Sequence, residues 1–274
     1  PVSLGDRPLG TGFSGAAGLS VARDGTLAFT TNTPFATHLV WADMNGKQIA
    51  DVPMASGKYV GVEVSPDGRQ AVLESSPRIG ISELWMADVE RGVATRLSYD
   101  PGENTSARLS PDGTRVAYTA TPLGGFPKIV VVDVAGGVTE SFLADDPVFK
   151  LVRGWTPDGR ALIYGRQDPD TRWDLWILPL DGDRTPRPYL VTPYFENSAH
   201  VSPDGRWIQY DSDESGRFEV YVQAFPGGGG KYQVTTRGGF SGGWSGDGRQ
   251  LRFAYAGDNR TAYTADVLPG PQFR

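Results

Sequence analysis

A four-residue signature recurs along this 274-residue chain and dictates what it can fold into. Ser-Pro-Asp-Gly occupies Ser65–Gly68, Ser110–Gly113, Thr156–Gly159 (with Thr in place of Ser) and Ser202–Gly205, with looser copies at Ala22–Gly25 and Ser245–Gly248. The aspartates, Asp24, Asp67, Asp112, Asp158, Asp204 and Asp247, stand 43, 45, 46, 46 and 43 residues apart. Self-similarity at such a period marks stacked supersecondary units. Each copy follows an apolar residue (Val21, Val64, Leu109, Trp155, Val201, Trp244) and precedes an alternating run such as Arg115–Tyr118 or Trp207–Tyr210. Two further β-rich runs follow, as at Lys128–Val132 and Thr139–Leu143. Period-two alternation with β-branched and aromatic residues predicts strands, and Asp-Gly between the first two predicts a hairpin.

Four antiparallel strands per repeat make one propeller blade, so the fold class is all-β, a six-bladed β-propeller spanning 1–274 as a single domain. Blade six takes its first three strands from Phe240–Ser245, Gln250–Tyr255 and Thr261–Val267, and the N-terminal strand near Val2–Leu9 closes it. Such closure removes open sheet edges. With 36 Gly and 21 Pro, the chain has little room for long helices. No apolar run reaches the roughly 20 residues that span a bilayer, so no membrane insertion by this domain is expected. A net charge of −6 without a basic run argues against nucleic acid as a partner. Zero Cys excludes disulfides and thiolate metal sites. The opening residues, PVSLGDRPLG, do not read as a signal peptide.

Several motifs have plain explanations. Gly10–Gly15 spells a glycine-rich phosphate loop, but a strand follows it where a helix N-terminus is needed. The repeated aspartates read as turn residues, their carboxylates accepting nearby backbone N–H groups. Asn104-Thr-Ser106 and Asn259-Arg-Thr261 match the glycosylation pattern by chance. Asp211–Gly216 echoes a calcium loop but has Val222 where the distal glutamate belongs, and reads as a polar hairpin. His38 and His200 are the only histidines, too few for a structural zinc site, so no metal and no cofactor is expected.

The informative residues come from aligning the first strands. Side chains alternate, so the residue four before each turn Asp points into the central channel if no strand carries a bulge. Those residues include Glu63, Arg108 and His200, with Ser20, Gly154 and Gly243. Four residues further back, near the mouth, the same rule places Tyr59, Asn104, Lys150 and Glu196. Convergent polar groups in a concave site predict ligand binding. The alternative is a water-filled channel whose charges satisfy one another, Glu63 pairing with Arg108 of the next blade. Loops on the mouth face, among them Thr121–Lys128 and Thr192–Asn197 with Tyr194 and Phe195, either dock a partner or pack on the next blade.

The Ser-Pro-Asp-Gly-Arg copies resemble the TolB-type six-bladed propeller repeat. The stretch Tyr210–Gly239, YDSDESGRFEVYVQAFPGGGGKYQVTTRGG, resembles the propeller region that follows the catalytic domain in many bacterial serine/threonine kinases. Ser20–Ala28 and Leu39–Lys47 resemble that region's first blade. No His-Arg-Asp loop, Asp-Phe-Gly or Val-Ala-Ile-Lys strand is present, so the kinase catalytic domain itself is not in this chain. In the sixth repeat Gly246 replaces Pro, and the tail stops at Arg274, which reads as a chain cut from a longer one. The resemblance implies a non-catalytic binding module of WD40-like repeats, a signalling sensor domain. It would take a protein, peptide or small molecule at the channel mouth, on the extracytoplasmic side of a membrane-anchored kinase. Three rivals stand beside it: a periplasmic TolB-like partner-binding protein, a hydrolase or lyase using Glu63, Arg108 and His200, and a purely structural chain.

Overall fold

In the computed structural model every element of the described residues is a strand or a turn, apart from irregular connections. Those residues are 2–3, 19–21, 27–32, 37–42, 47–54, 57–65, 67–136, 139–227, 229–255, 261–267 and 273. Among the described residues twenty-four strands form six four-stranded sheets, here called blades. Blade one comprises Leu19–Val21, Leu27–Asn32, Thr37–Ala42 and Gln48–Asp51. Blade two comprises Tyr59–Val64, Gln70–Arg78, Ile81–Asp88 and Val93–Arg96. Blade three comprises Gly102–Leu109, Arg115–Pro122, Lys128–Asp133 and Thr139–Phe142. Blade four comprises Lys150–Trp155, Ala161–Asp168, Arg172–Pro179 and Arg187–Leu190. Blade five comprises Glu196–Val201, Trp207–Ser212, Glu219–Ala224 and Lys231–Gln233. Blade six comprises Gly239–Trp244, Gln250–Tyr255 and Thr261–Asp266, with Val2–Ser3 as the outermost strand. The sheet thus takes its outer strand from the N-terminus, as the repeat arithmetic requires; residues 4–9 of the expected strand lie outside the described set.

The chain divides into two compact units, Val2–Val152 and Arg153–Arg274, and the division falls inside the first strand of blade four. In the first unit two apolar cores fill the spaces between neighbouring blades. One gathers Leu39, Val52, Val64, Leu73 and Val89; the other gathers Leu84, Leu109, Val116, Tyr118 and Val130. In the second unit Ile163, Leu175, Ala199, Ile208 and Tyr210 do the same. Burial of apolar faces between sheets is the main term holding such layers together.

The repeated tetrapeptide closes each hairpin by one mechanism. The carboxylates of Asp67, Asp112, Asp158, Asp204 and Asp247 accept the hydroxyl two residues back and the N–H two residues on. The hydroxyl in turn accepts the N–H that opens the second strand, as Ser110 does from Arg115 at 2.9 Å. The glycine supplies a positive φ, 73° at Gly113, that other residues adopt at a cost. The Asp24 turn lies outside the described residues. Asp112 is held at about 2, first by the Ser110 hydroxyl and then by the Thr114 N–H. Replacing Asp112 with alanine is expected to cost about 1 kcal/mol, the worth of a surface side-chain hydrogen-bond set, read as a lower urea midpoint at unchanged slope.

Candidate functional site

Each first strand of blades two, three, five and six carries a register shift that inserts one extra residue opposite its partner. The shifts fall between Tyr59 and Gly61, Thr105 and Arg108, Asn197 and His200, and Ser241 and Gly243. A bulge flips the side-chain alternation beyond it. This corrects the expected facing of the mouth tier. Glu63, Arg108 and His200, on the turn side of the bulge, stay partly accessible. Asn104, Lys150 and Glu196 turn inward and are buried at 2%, 0% and 1% exposure. Their accessible neighbours are Glu103, Leu151 and Asn197, and blade two shows Val60 beside Tyr59. Blade four keeps the same rhythm, with Val152 and Arg153 buried in succession.

In the first unit, Glu63 reaches from blade two to blade three. Its carboxylate accepts the Leu109 N–H at 2.9 Å and lies 3.4 Å from the Arg108 guanidinium. Burial pushes Glu63 above the ordinary carboxylate value, against the pull of Arg108 and the Leu109 amide. Both side chains keep about a quarter of their surface, 25% for Glu63 and 26% for Arg108. Tyr59 is held by its backbone: its N–H donates to the Thr37 hydroxyl at 2.8 Å, and its ring covers Gly57. Asn104 clasps Ser82 of blade two. Its side-chain amide donates to the Ser82 carbonyl at 2.9 Å, and its N–H donates to the Ser82 hydroxyl at 2.7 Å. Lys150 is caged, its ammonium donating to the carbonyls of Asp146 at 2.7 Å, Pro127 at 2.8 Å and Leu143 at 3.4 Å.

In the second unit, the His200 ring lies against Gly243, where an added Cβ would stand 3.5 Å from it, and the His200 carbonyl accepts the Trp244 indole N–H at 2.9 Å. Glu196 accepts the Thr192 hydroxyl, and its other oxygen is buried without a hydrogen bond. Burial raises Glu196 to about 7; the Thr192 bond opposes this, and the charges of Asp174, Glu214 and Asp213 add to it. Tyr194 is exposed, whereas Phe195 packs edge-on against Phe218 with centroids 5.2 Å apart. The paired loop aromatics therefore divide between surface and core. A cleft of about 510 Å³ opens beside the turns of blades four and five, lined by Pro157, Pro203, Ile177 and Phe225. Its wall includes the turn residues Asp158 and Asp204 but none of the candidate ligand-binding residues.

The second strands of blades two, three and five carry a polar group seven residues after the turn Asp, a position that the first strands give no hint of. Glu74 accepts the N–H of Ser106 in the next blade at 3.3 Å. Thr119 accepts that of Val152 at 3.1 Å, and Asp211 accepts that of Ser241. Ser106, Val152 and Ser241 share one repeat position, six residues before the turn Asp, which in blades three and six falls at the register shift. The bulge frees an amide from its own ladder, and the preceding blade supplies the acceptor. Burial lifts Glu74 to about 7, opposed by the Ser106 amide and then Arg108. Burial lifts Asp211 to about 8, opposed by the Ser241 amide, the Ser198 hydroxyl and Arg153. At the matching position of blade four stands Gly165. A Cβ there would meet the Trp173 ring at 3.1 Å and Arg153 Nε at 3.3 Å, so the glycine leaves room for the buried Arg153 to stack on Trp173 at 5.5 Å. Polar residues in otherwise apolar strands, read at fixed phase from the turn, are the signal that would have found this set.

These features define the class: four-stranded antiparallel blades in a propeller arrangement. Among solved structures the chain is similar to TolB from Acinetobacter baumannii (TM-score 0.68, 18% identity), covering 90% of this chain and 64% of that one. The chain thus spans less than two thirds of that TolB. It is also similar to a TolB described as putative from Agrobacterium tumefaciens (TM-score 0.67, 17% identity; 92% of this chain, 90% of that one). A third similar structure is hydrazine synthase from Kuenenia stuttgartiensis (TM-score 0.64, 14% identity; 92% and 83%). No protein-family model and no curated protein matches the sequence. At these identities the likeness is one of fold.

Proposed function

We propose that the chain is a non-catalytic binding propeller that takes a protein, peptide or small ligand on the accessible face of its first strands and their adjoining loops. The observation that carries this reading is the Glu63–Arg108 pair. It is a charged couple held across two blades yet partly open, with Glu103 and Thr105 accessible on the same strand as Arg108. Such a pair is fixed in place before any ligand arrives, so binding to it loses little side-chain freedom. The resemblance of Tyr210–Gly239 to kinase-linked propellers supports a finer assignment: the sensor domain of a bacterial serine/threonine kinase, outside the cytoplasm. The fold likeness to two TolB structures favours a second reading, a TolB-like partner-binding protein.

The test is a thermal-shift screen of the wild-type chain and Arg108→Ala against divalent ions, sugars, nucleotides and short peptides. A ligand at about 100 times its dissociation constant stabilises by about 2.7 kcal/mol. A shift in the wild type that Arg108→Ala loses supports the reading. Shifts that are equal in both proteins, or absent from both, count against a site at this pair.

A further inference from the structure

Three loops of the first unit are tied into one surface. The connector after blade two, residues 97–101, meets the hairpin of blade three, residues 123–127, through the Leu123 N–H to Pro101 carbonyl bond at 3.3 Å and the Lys128–Asp100 ion pair at 3.4 Å. That hairpin is tied to the connector after blade three, residues 143–149, by Lys150, whose ammonium bonds Pro127 on one side and Leu143 and Asp146 on the other. Four large apolar side chains stand out from these loops: Tyr99 at 73% exposure, Leu123 at 66%, Phe126 at 56% and Phe149 at 37%. Scattered single apolar residues on a surface are ordinary, but four on mutually bonded loops form a patch.

The exposed charges on these loops are acidic, and the arginine beside them, Arg96, lies over the Tyr99 ring and is paired with Glu83 at 3.2 Å. Asp100, Glu103 and Asp145 are exposed. Of the two lysines in the same segments, Lys150 is fully buried and Lys128 faces Asp100. Rigid aromatic and aliphatic anchors bind with little entropy loss, and an acidic rim steers and selects a basic partner.

We infer that this platform docks a peptide segment bearing large apolar side chains flanked by lysine or arginine. The inference rests on the binding-module reading and gives that module its partner chemistry. It predicts that selecting a random displayed peptide library on the intact chain enriches sequences combining aromatic or aliphatic residues with net positive charge. It also predicts that the double variant Leu123→Ser, Phe126→Ser binds them at least about tenfold more weakly by fluorescence polarisation. Reversing Glu103 and Asp145 to lysine should weaken the same peptides, more at low salt than at high salt. Both variants change exposed side chains, and an unchanged thermal midpoint verifies that they fold. Enriched peptides that are acidic, or that bind wild type and both variants alike, overturn the platform while leaving the binding-module reading standing. A library that yields no binder overturns the platform as well, and the thermal-shift screen then decides separately whether the Glu63–Arg108 face binds a small ligand.

Discussion

Lys150→Met is expected to destabilise the protein by about 2 kcal/mol or more, and Lys150→Ala by more still. The ammonium is fully buried and donates to three carbonyls, those of Pro127, Leu143 and Asp146. Methionine fills nearly the same volume, so its cost isolates the loss of the ammonium. The Pro127 and Asp146 carbonyls lose this donor, the Leu143 carbonyl keeps the Asp146 N–H, and the Asp146 carboxylate loses a cation 3.9 Å away. The Pro127 and Asp146 carbonyls, left without this donor, cost about 1 kcal/mol or more apiece. Alanine adds an emptied volume to that loss. Urea unfolding of the two variants and the wild type measures both parts. A Lys150→Met protein as stable as the wild type would show that the cage contributes nothing. The peptides selected on the loop platform should also bind Lys150→Met more weakly, because the ammonium joins two of the three loops.

Between about pH 5 and pH 8 the protein is expected to lose stability as pH rises. Asp211 is lifted to about 8, and Glu74 and Glu196 to about 7, all by burial first. In the unfolded chain these groups give up their protons near the ordinary carboxylate values. Across the window the folded state therefore holds more protons than the unfolded state, and the linkage slope is negative. Their contribution is full below about pH 4, falls through the window and levels off above pH 8. The turn aspartates act in the opposite sense, but Asp112, held at about 2, has completed its gain by the time the window opens. For Glu196 the displacement corresponds to about 3 kcal/mol at roughly 1.4 kcal/mol per pH unit. Glu196→Gln should recover much of that at pH 8 and little at pH 5. Unfolding midpoints that stay flat or rise across the window would contradict this assignment.

What could be read from the sequence followed the range of the chemistry. The hairpins were legible because the hydroxyl, carboxylate and glycine that build them lie within a few residues of one another. The Glu63–Arg108 pair was legible because both residues stand at the same phase of consecutive repeats, on the near side of the bulge. Beyond it the phase breaks. The extra residue leaves spacing and composition untouched, and in blades three and five the left-handed residue of the bulged stretch is Ser106, at φ 56°, or Ser198, at φ 50°; of these shifted strands only that of blade six has a left-handed glycine there, Gly243 at φ 87°. Lys150 illustrates the remainder. A lysine opening a strand reads as a surface residue, and only the folded positions of carbonyls 4, 7 and 23 residues away turn it into a buried strut.

The bond from Glu74, Thr119 or Asp211 to the freed amide of the following blade also bears on how such a chain can be lengthened or rearranged. A repeat carries the amide that needs an acceptor, but the acceptor is written in the repeat before it. A segment duplicated or transplanted singly would keep its own hairpin and still inherit whatever its new predecessor offers at one position. Gene rearrangement and engineered grafting should therefore succeed most readily with tandem pairs, or with single repeats whose new upstream neighbour already bears a carboxylate or hydroxyl there.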